Sequence, residues 1–201
     1  MSNRRASGLK VGAEIPHLLN FIKENRDLIG FVSNDYLFTG EFYLEIDFEY
    51  SAFDINFAPL FGGDTSNNNI RVLVGATSIL IDINTNAITA YNVALLPNVK
   101  YKFKMRRDVS NVLFCSIDGG IETNLGVKPG TCDLLYIALG RLSGGLSLSG
   151  KVYDFDINGS KFNLNEGSGL IVSPNDASPT GEIITSNPEP NYVNNVMWEE
   201  I

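Results

Sequence analysis

The run EFYLEIDFEY, residues 41–50, constrains this chain more than any other stretch. Taken in steps of two it separates into two faces. Phe42, Leu44, Ile46, Phe48 and Tyr50 fall on one, and Glu41, Tyr43, Glu45, Asp47 and Glu49 on the other. A helix would spread both sets around its axis, whereas a strand with one dry and one wet face keeps them apart. That pattern belongs to an antiparallel sheet packed on one side.

Similar runs follow at 28–33, 55–61, 69–75, 78–83, 87–93, 99–107, 110–117, 132–139, 148–157 and 160–164. Turn chemistry separates them: Gly62-Gly63-Asp64, Asn67-Asn68-Asn69, Asn84-Thr85-Asn86, Asp118-Gly119-Gly120 and Gly144-Gly145. Asn158-Gly159, between two alternating runs, is the strongest hairpin signal. Many short strands spaced by such turns predict a single antiparallel β-sandwich or barrel. Residues 1–12 are small and basic and read as an arm. Residues 13–25 are the one predicted helix, with Pro16 in its first turn and Leu18, Leu19 and Ile22 as an apolar stripe. Beyond Glu166 the chain turns proline-rich, with Pro174, Pro179, Pro188 and Pro190. Such a segment is expected to stay out of a central sheet. It reads as an extended strap over the domain or onto a neighbour. The expected organisation is arm and short helix over 1–27, β-sandwich over 28–165 and strap over 166–201.

The formal net charge of −8 disfavours a nucleic-acid partner, since no excess of basic residues is available to replace counterions. Lys100, Lys102, Lys104, Arg106 and Arg107 form the one basic cluster. They alternate with Tyr101, Phe103 and Met105 and read as the wet face of a strand. No window suggests a membrane span, and no secretory signal is visible, which fits synthesis in a cytoplasm. Cys115 and Cys132 lie in apolar runs and are expected to be buried free thiols.

Three segments in order resemble the concanavalin A-like, laminin-G-type jelly roll: FTGEFYLEIDFEY (38–50), YKFKMRRDVSNVLFCSIDGG (101–120) and LLYIALGRLSGGLSLSGKVYDFDI (134–157). The second ends its paired strands in Asp-Gly, and the third carries a glycine followed by alternating apolar residues. The C-terminal part, with NEGSG at 165–169 and a terminal Trp198, resembles trailing segments of such domains in bacteriophage structural proteins. The resemblance implies a jelly-roll fold. It also implies a non-catalytic virion protein, tail-associated or on the particle surface, packing against copies of itself and other virion proteins and able to bind host-surface carbohydrate. A purely structural capsid decoration or cement protein is the first alternative. For assembly the candidates are Trp198, Tyr192 and Met197, since a large aromatic near a terminus anchors it in a groove.

Glu45-x-Asp47-x-Glu49 matches the strand motif of laminarinase-type glycoside hydrolases, which share this broad fold. Carried over, Glu45 is the nucleophile, Asp47 its partner and Glu49 the acid/base. Against this stand the motif's early position, the short chain and the single tryptophan, so no catalytic set is assigned. For ligand binding the candidates are Tyr43, Glu45, Tyr91 and Tyr153, aromatics able to stack on a sugar ring beside a polar group. His17, the lone histidine, is expected to be a packed or surface residue. No cofactor is expected. Calcium is the one ion with candidates, Asp64, Asn67, Asn68, Asn69 and Asp118, with Asn175 and Asp176 in the tail; turn formation explains each of these without metal.

Overall fold

The computed structural model describes residues 17–22, 25–33, 35–52, 57–62, 70–84, 88–138, 148–189 and 191–201. Two eight-stranded sheets dominate them. The first runs in the order β11 (Thr123–Val127), β10 (Val112–Ile117), β9 (Tyr101–Arg107), β4 (Phe42–Ala52), β14 (Ser149–Ile157), β1 (His17–Phe21) and β18 (Trp198–Glu200). Strand β15 (Ser160–Phe162) also pairs with β14. The second runs β16 (Ile171–Val172), β17 (Gly181–Ile184), β2 (Leu28–Gly30), β13 (Tyr136–Ile137), β5 (Ala58–Gly62), β6 (Ile70–Val74), β7 (Ser78–Ile83) and β8 (Thr89–Asn92). A short ribbon joins β3 (Leu37–Phe38) to β12 (Cys132–Asp133). Every pairing is antiparallel.

The dry face of β4 packs inward as its alternation predicts: Leu44, Ile46 and Phe48 are fully buried. Opposite them the second sheet contributes Phe61, Val72, Ile79 and Ile81, also fully buried. Aromatic rings join the layers, with Phe61 6.4 Å from Phe103 and Phe31 6.5 Å from Phe155. Phe155 stacks on Phe162 at 4.3 Å across the β14–β15 hairpin. That hairpin turns on Asn158 and Gly159, with φ of 54° and 90°, the left-handed pair that a two-residue hairpin requires. Cys115 and Cys132 are both free and buried. Burial pushes both thiols up, Cys132 to about 11 although the Arg107 charge pulls the other way.

The predicted helix is absent from the described residues. His17–Phe21 is strand β1, held between β14 and β18. Leu18, Leu19 and Phe21 are all buried, because a strand between two partners in a covered sheet needs both faces apolar. A short apolar run carries no period that distinguishes this from a helix. Residues 1–16, including the expected arm, lie outside the described residues. The tail read as a strap contributes β16 and β17 to the second sheet and β18 to the first. Pro174, Pro179 and Pro188 fall between those strands, where no ladder bond is lost. Among the described residues, no helix is long and apolar enough to cross a membrane.

Candidate ligand-binding face

The wet face of β4 looks outward from the first sheet and is flanked by β9 and β14. Across β9, Tyr43, Glu45 and Asp47 sit opposite Arg106, Lys104 and Lys102. Across β14, Glu45, Asp47 and Glu49 sit opposite Asp156, Asp154 and Lys151. The ion pairs run both straight across and diagonally. Lys102 lies 2.9 Å from Glu45 and 3.0 Å from Asp47, and Lys100 lies 3.1 Å from Asp47. Asp47 is only 7% exposed beneath them. A bulge in β14, between Val152 and Asp154, breaks the alternation there. Val152 still points into the core, while Tyr153 and Asp154 both stay half-buried on the outer side. Tyr153 donates its hydroxyl to Glu49 at 3.0 Å. Tyr43 donates to Glu45 in the same way. The β14–β15 turn fixes Tyr43 through two bonds. Its backbone N–H donates to the Asn158 side chain at 2.7 Å, and its carbonyl accepts the Asn158 N–H at 2.8 Å.

Burial raises the Glu45 carboxyl, but hydrogen bonds from Tyr43 and Lys102 outweigh it and hold the group below its ordinary value. Lys102 loses some basicity to burial and gains more from Glu45 and Asp47, so its ammonium is held firmly charged. Burial and the bonded Glu49 push the Tyr153 hydroxyl up to about 12. Asp154 is the opposite case to Glu45. Burial, then the charge of Asp47, push its carboxyl above the ordinary 3.8. A carboxyl raised by folding binds its proton more tightly in the native state, so its ionised form costs stability at neutral pH. Asp154→Asn is therefore expected to raise the melting temperature at pH 7, and the gain should vanish below pH 3.8, where both states carry the proton. Thermal melts at the two pH values check this, and a variant less stable at pH 7 would contradict it.

A retaining hydrolase needs one carboxylate and one carboxylic acid kept protonated. Glu45 is held ionised, as the nucleophile of such a pair would be, but it is tied to Tyr43 and Lys102; Lys102 also bonds Asp47, and Glu49 accepts a tyrosine hydroxyl. Asp154, outside the motif, has its carboxyl pushed up. What these side chains can do is present a fixed lattice of donors and acceptors.

Aromatic rings lie within that lattice, each beneath a cation. Lys100 sits 4.1 Å from the Tyr153 ring centre, Arg106 4.2 Å from Phe114 and Lys104 5.4 Å from Tyr43. The sequence reading missed Phe114. Its alternation with Cys115 was the available signal; its place opposite Arg106 comes only from the pairing of β10 with β9. A cavity of about 470 Å³ opens at the end of the face, lined by Glu41, Phe42, Tyr43, Arg106, Arg107, Asp108 and Asn158.

Tyr43, Glu45 and Tyr153 are thus brought together. Tyr91 is not: it lies on β8 of the other sheet and hydrogen-bonds with the Ile117 backbone and the Thr123 side chain. Arg107, grouped by sequence with the wet cations, points inward and is 1% exposed. Of the calcium candidates, Asp64, Asn67, Asn68 and Asn69 lie outside the described residues. Asp118 accepts the Lys102 N–H at 2.8 Å, and Asp176 accepts from Ser160 and Ser178. Among the described residues, no group of three or more His, Cys, Asp or Glu could hold a metal ion. Trp198, Met197 and Tyr192 pack into this chain's own core. The Trp198 indole donates to the Gly169 carbonyl at 3.0 Å, and its ring meets His17 edge-on at 6.3 Å.

Solved structures share this arrangement of strands. A protein assigned to carbohydrate binding, from Bacteroides ovatus ATCC 8483, superposes with a TM-score of 0.65 at 12% identity, over 94% of this chain and 61% of its own. Domains LG4-5 of the mouse laminin alpha1 chain give 0.55 at 14% identity, over 90% of this chain and 48% of theirs. The fold is an antiparallel β-sandwich of the jelly-roll kind that these neighbours share. The native heptameric SAP-like pentraxin of Limulus polyphemus gives 0.54 at 9% identity, over 86% of this chain and 94% of its own. This jelly roll therefore spans about three fifths of the first of these chains and about half of the second. No protein-family model matches the sequence, and no curated protein matches it.

Proposed function

We propose that this jelly roll is a non-catalytic glycan-binding module whose site is the outer face of β4, β9 and β14. The observation that carries the reading is the β14 bulge, which brings Tyr153 out beside Glu49 while Tyr43 stands beside Glu45 on the same face. A sugar ring offers one apolar C–H face and a rim of hydroxyls. A tyrosine ring bordered by fixed carboxylates and ammonium groups complements both. The fold supports the reading, since the Bacteroides ovatus neighbour is a protein assigned to carbohydrate binding.

The resemblance of residues 162–201 to phage structural proteins supports a setting on a virion surface, in contact with copies of itself. Because the tail supplies β16, β17 and β18, deleting it would damage the sheets, so the assembly question has to be put to the full chain. The test is a glycan panel read alongside light scattering. Tyr43→Ala and Tyr153→Ala should each weaken binding about tenfold without changing the melting temperature by more than a few degrees. Unaltered affinity in both variants would remove this face as the site, and a strictly monomeric chain would remove the virion setting.

A further inference from the structure

We infer that this face selects an acidic glycan, through a uronate carboxylate that replaces Glu122 between Lys104 and Arg106. The inference rests on the glycan-binding reading above. Glu122 belongs to none of β4, β9 or β14 but to the connection between β10 and β11. It reaches back over the face, where Arg106 Nε lies 3.0 and 2.9 Å from its two oxygens and Lys104 Nζ lies 3.3 Å away. The Arg106 hydrogen bond comes first among the causes that hold the Glu122 carboxyl below its ordinary value. A guanidinium fork backed by a second cation recognises any planar carboxylate. Nothing in the arrangement is peculiar to a glutamate side chain.

The same two cations cover aromatic rings, Arg106 over Phe114 and Lys104 over Tyr43. A neutral sugar stacking on either ring has to lift the cation away and gives it no anion in return. A uronate exchanges one carboxylate for another and brings a C–H face to the ring in the same step. Glu45, which stands opposite Lys104, is bonded by Tyr43 and Lys102, and Asp47 by Lys100 and Lys102. Glu49 accepts from Tyr153, and Asp154 and Asp156 lie on β14, on the far side of β4 from Arg106. Asp108, which adds to the field at Arg106, is turned to the N–H groups of Ser110 and Val112. The cavity of about 470 Å³ beside Tyr43 and Arg106 leaves room for the next sugar unit.

The experiment compares the full chain on polygalacturonate and on its fully methyl-esterified form, at physiological salt so that loose polyelectrolyte attraction is screened. A neutral glycan panel and dextran sulfate run beside them. Wild type is expected to bind the acid about tenfold more tightly than the ester, the worth of one charge-assisted hydrogen bond. Glu122→Gln should tighten binding of the acid by a further factor of about ten and change binding of the ester by less. Arg106→Gln and Lys104→Gln should both lose the preference, with unaltered melting temperatures. Equal or weaker binding of the acid by Glu122→Gln overturns the inference, as does a wild-type preference for the ester. Binding of dextran sulfate alone would assign charge density rather than uronate and overturn it too. Binding confined to neutral glycans sinks the inference and keeps the module reading, whereas no binding to any polymer sinks both.

Discussion

Arg107→Met is expected to cost about 4 kcal/mol of folding stability, a large share of what a domain of this kind has. Arg107 ends β9 on the inner side and is 1% exposed. Its guanidinium donates to the carbonyls of Gly40 at 2.6 Å, Gly130 at 2.7 Å, Lys128 at 3.1 Å and Phe38 at 3.4 Å. Those carbonyls belong to the end of β3 and the β3–β4 loop on one side and to the β11–β12 loop on the other. One side chain thus holds the β3–β12 ribbon against the first sheet. Phe42 lies 5.0 Å beneath the guanidinium. Methionine fills similar space but donates nothing, so the buried Phe38 carbonyl and the part-buried Gly40 and Gly130 carbonyls would lose this donor. Lysine cannot replace the planar fork either, and Arg107→Lys should recover less than half the loss. Urea unfolding at neutral pH measures both. A cost under about 1 kcal/mol for the methionine variant would mean that water reaches these carbonyls and that the ribbon is held by other contacts.

Arg107 also shows what the sequence could and could not reveal. Its position was legible, because Tyr101, Phe103, Met105 and Arg107 form one set in steps of two. Its charge argued for the opposite face, and the reading followed the charge. The burial of an arginine is decided by four carbonyls from segments distant in sequence, which no local pattern displays. The strands β7, β9, β10 and β14 were legible for the same reason that β4 was, an alternation against one core that is broken only locally in β10 and β14. Strands β1, β3 and β16 to β18 were not. Each is two to five residues long, too short to show a period. Tyr43, Glu45 and Tyr153 could be nominated from alternation and residue type. That Tyr153 joins the others depends on the bulge in β14, and that Glu122 meets Arg106 and Lys104 depends on β10 and β11 pairing in order beside β9. Both are tertiary facts. The prolines of the tail misled in a different way, since they mark where strands stop rather than forbidding them.

Gly150→Ala is expected to destabilise the fold by about 3 kcal/mol, against the direction that strand propensity gives. Alanine is ordinarily better than glycine in a strand by about 0.5–1 kcal/mol, because glycine loses more freedom on folding. Here a Cβ would lie 2.0 Å from the Glu49 carbonyl oxygen and 2.8 Å from the Tyr50 Cα. Both are backbone atoms of β4, and neither can swing aside as a side-chain tip could. Gly150 pairs with Tyr50 on one side and Phe21 on the other, next to the register shift at Ser149. Relief of the clash means prising β14 from β4, the central pair of the first sheet. Gly40 is the control: a Cβ there meets nothing within 4 Å, so Gly40→Ala should stay within about 0.5 kcal/mol of wild type. Chemical unfolding of the two variants separates the cases, and equal stabilities would show that the sheet yields at this point without loss. The consequence reaches the ligand face. The bulge that turns Tyr153 outward lies three residues along β14 from Gly150, and its placement depends on the same register. Loss of β14 pairing should therefore abolish glycan binding even at temperatures where part of the Gly150→Ala protein remains folded.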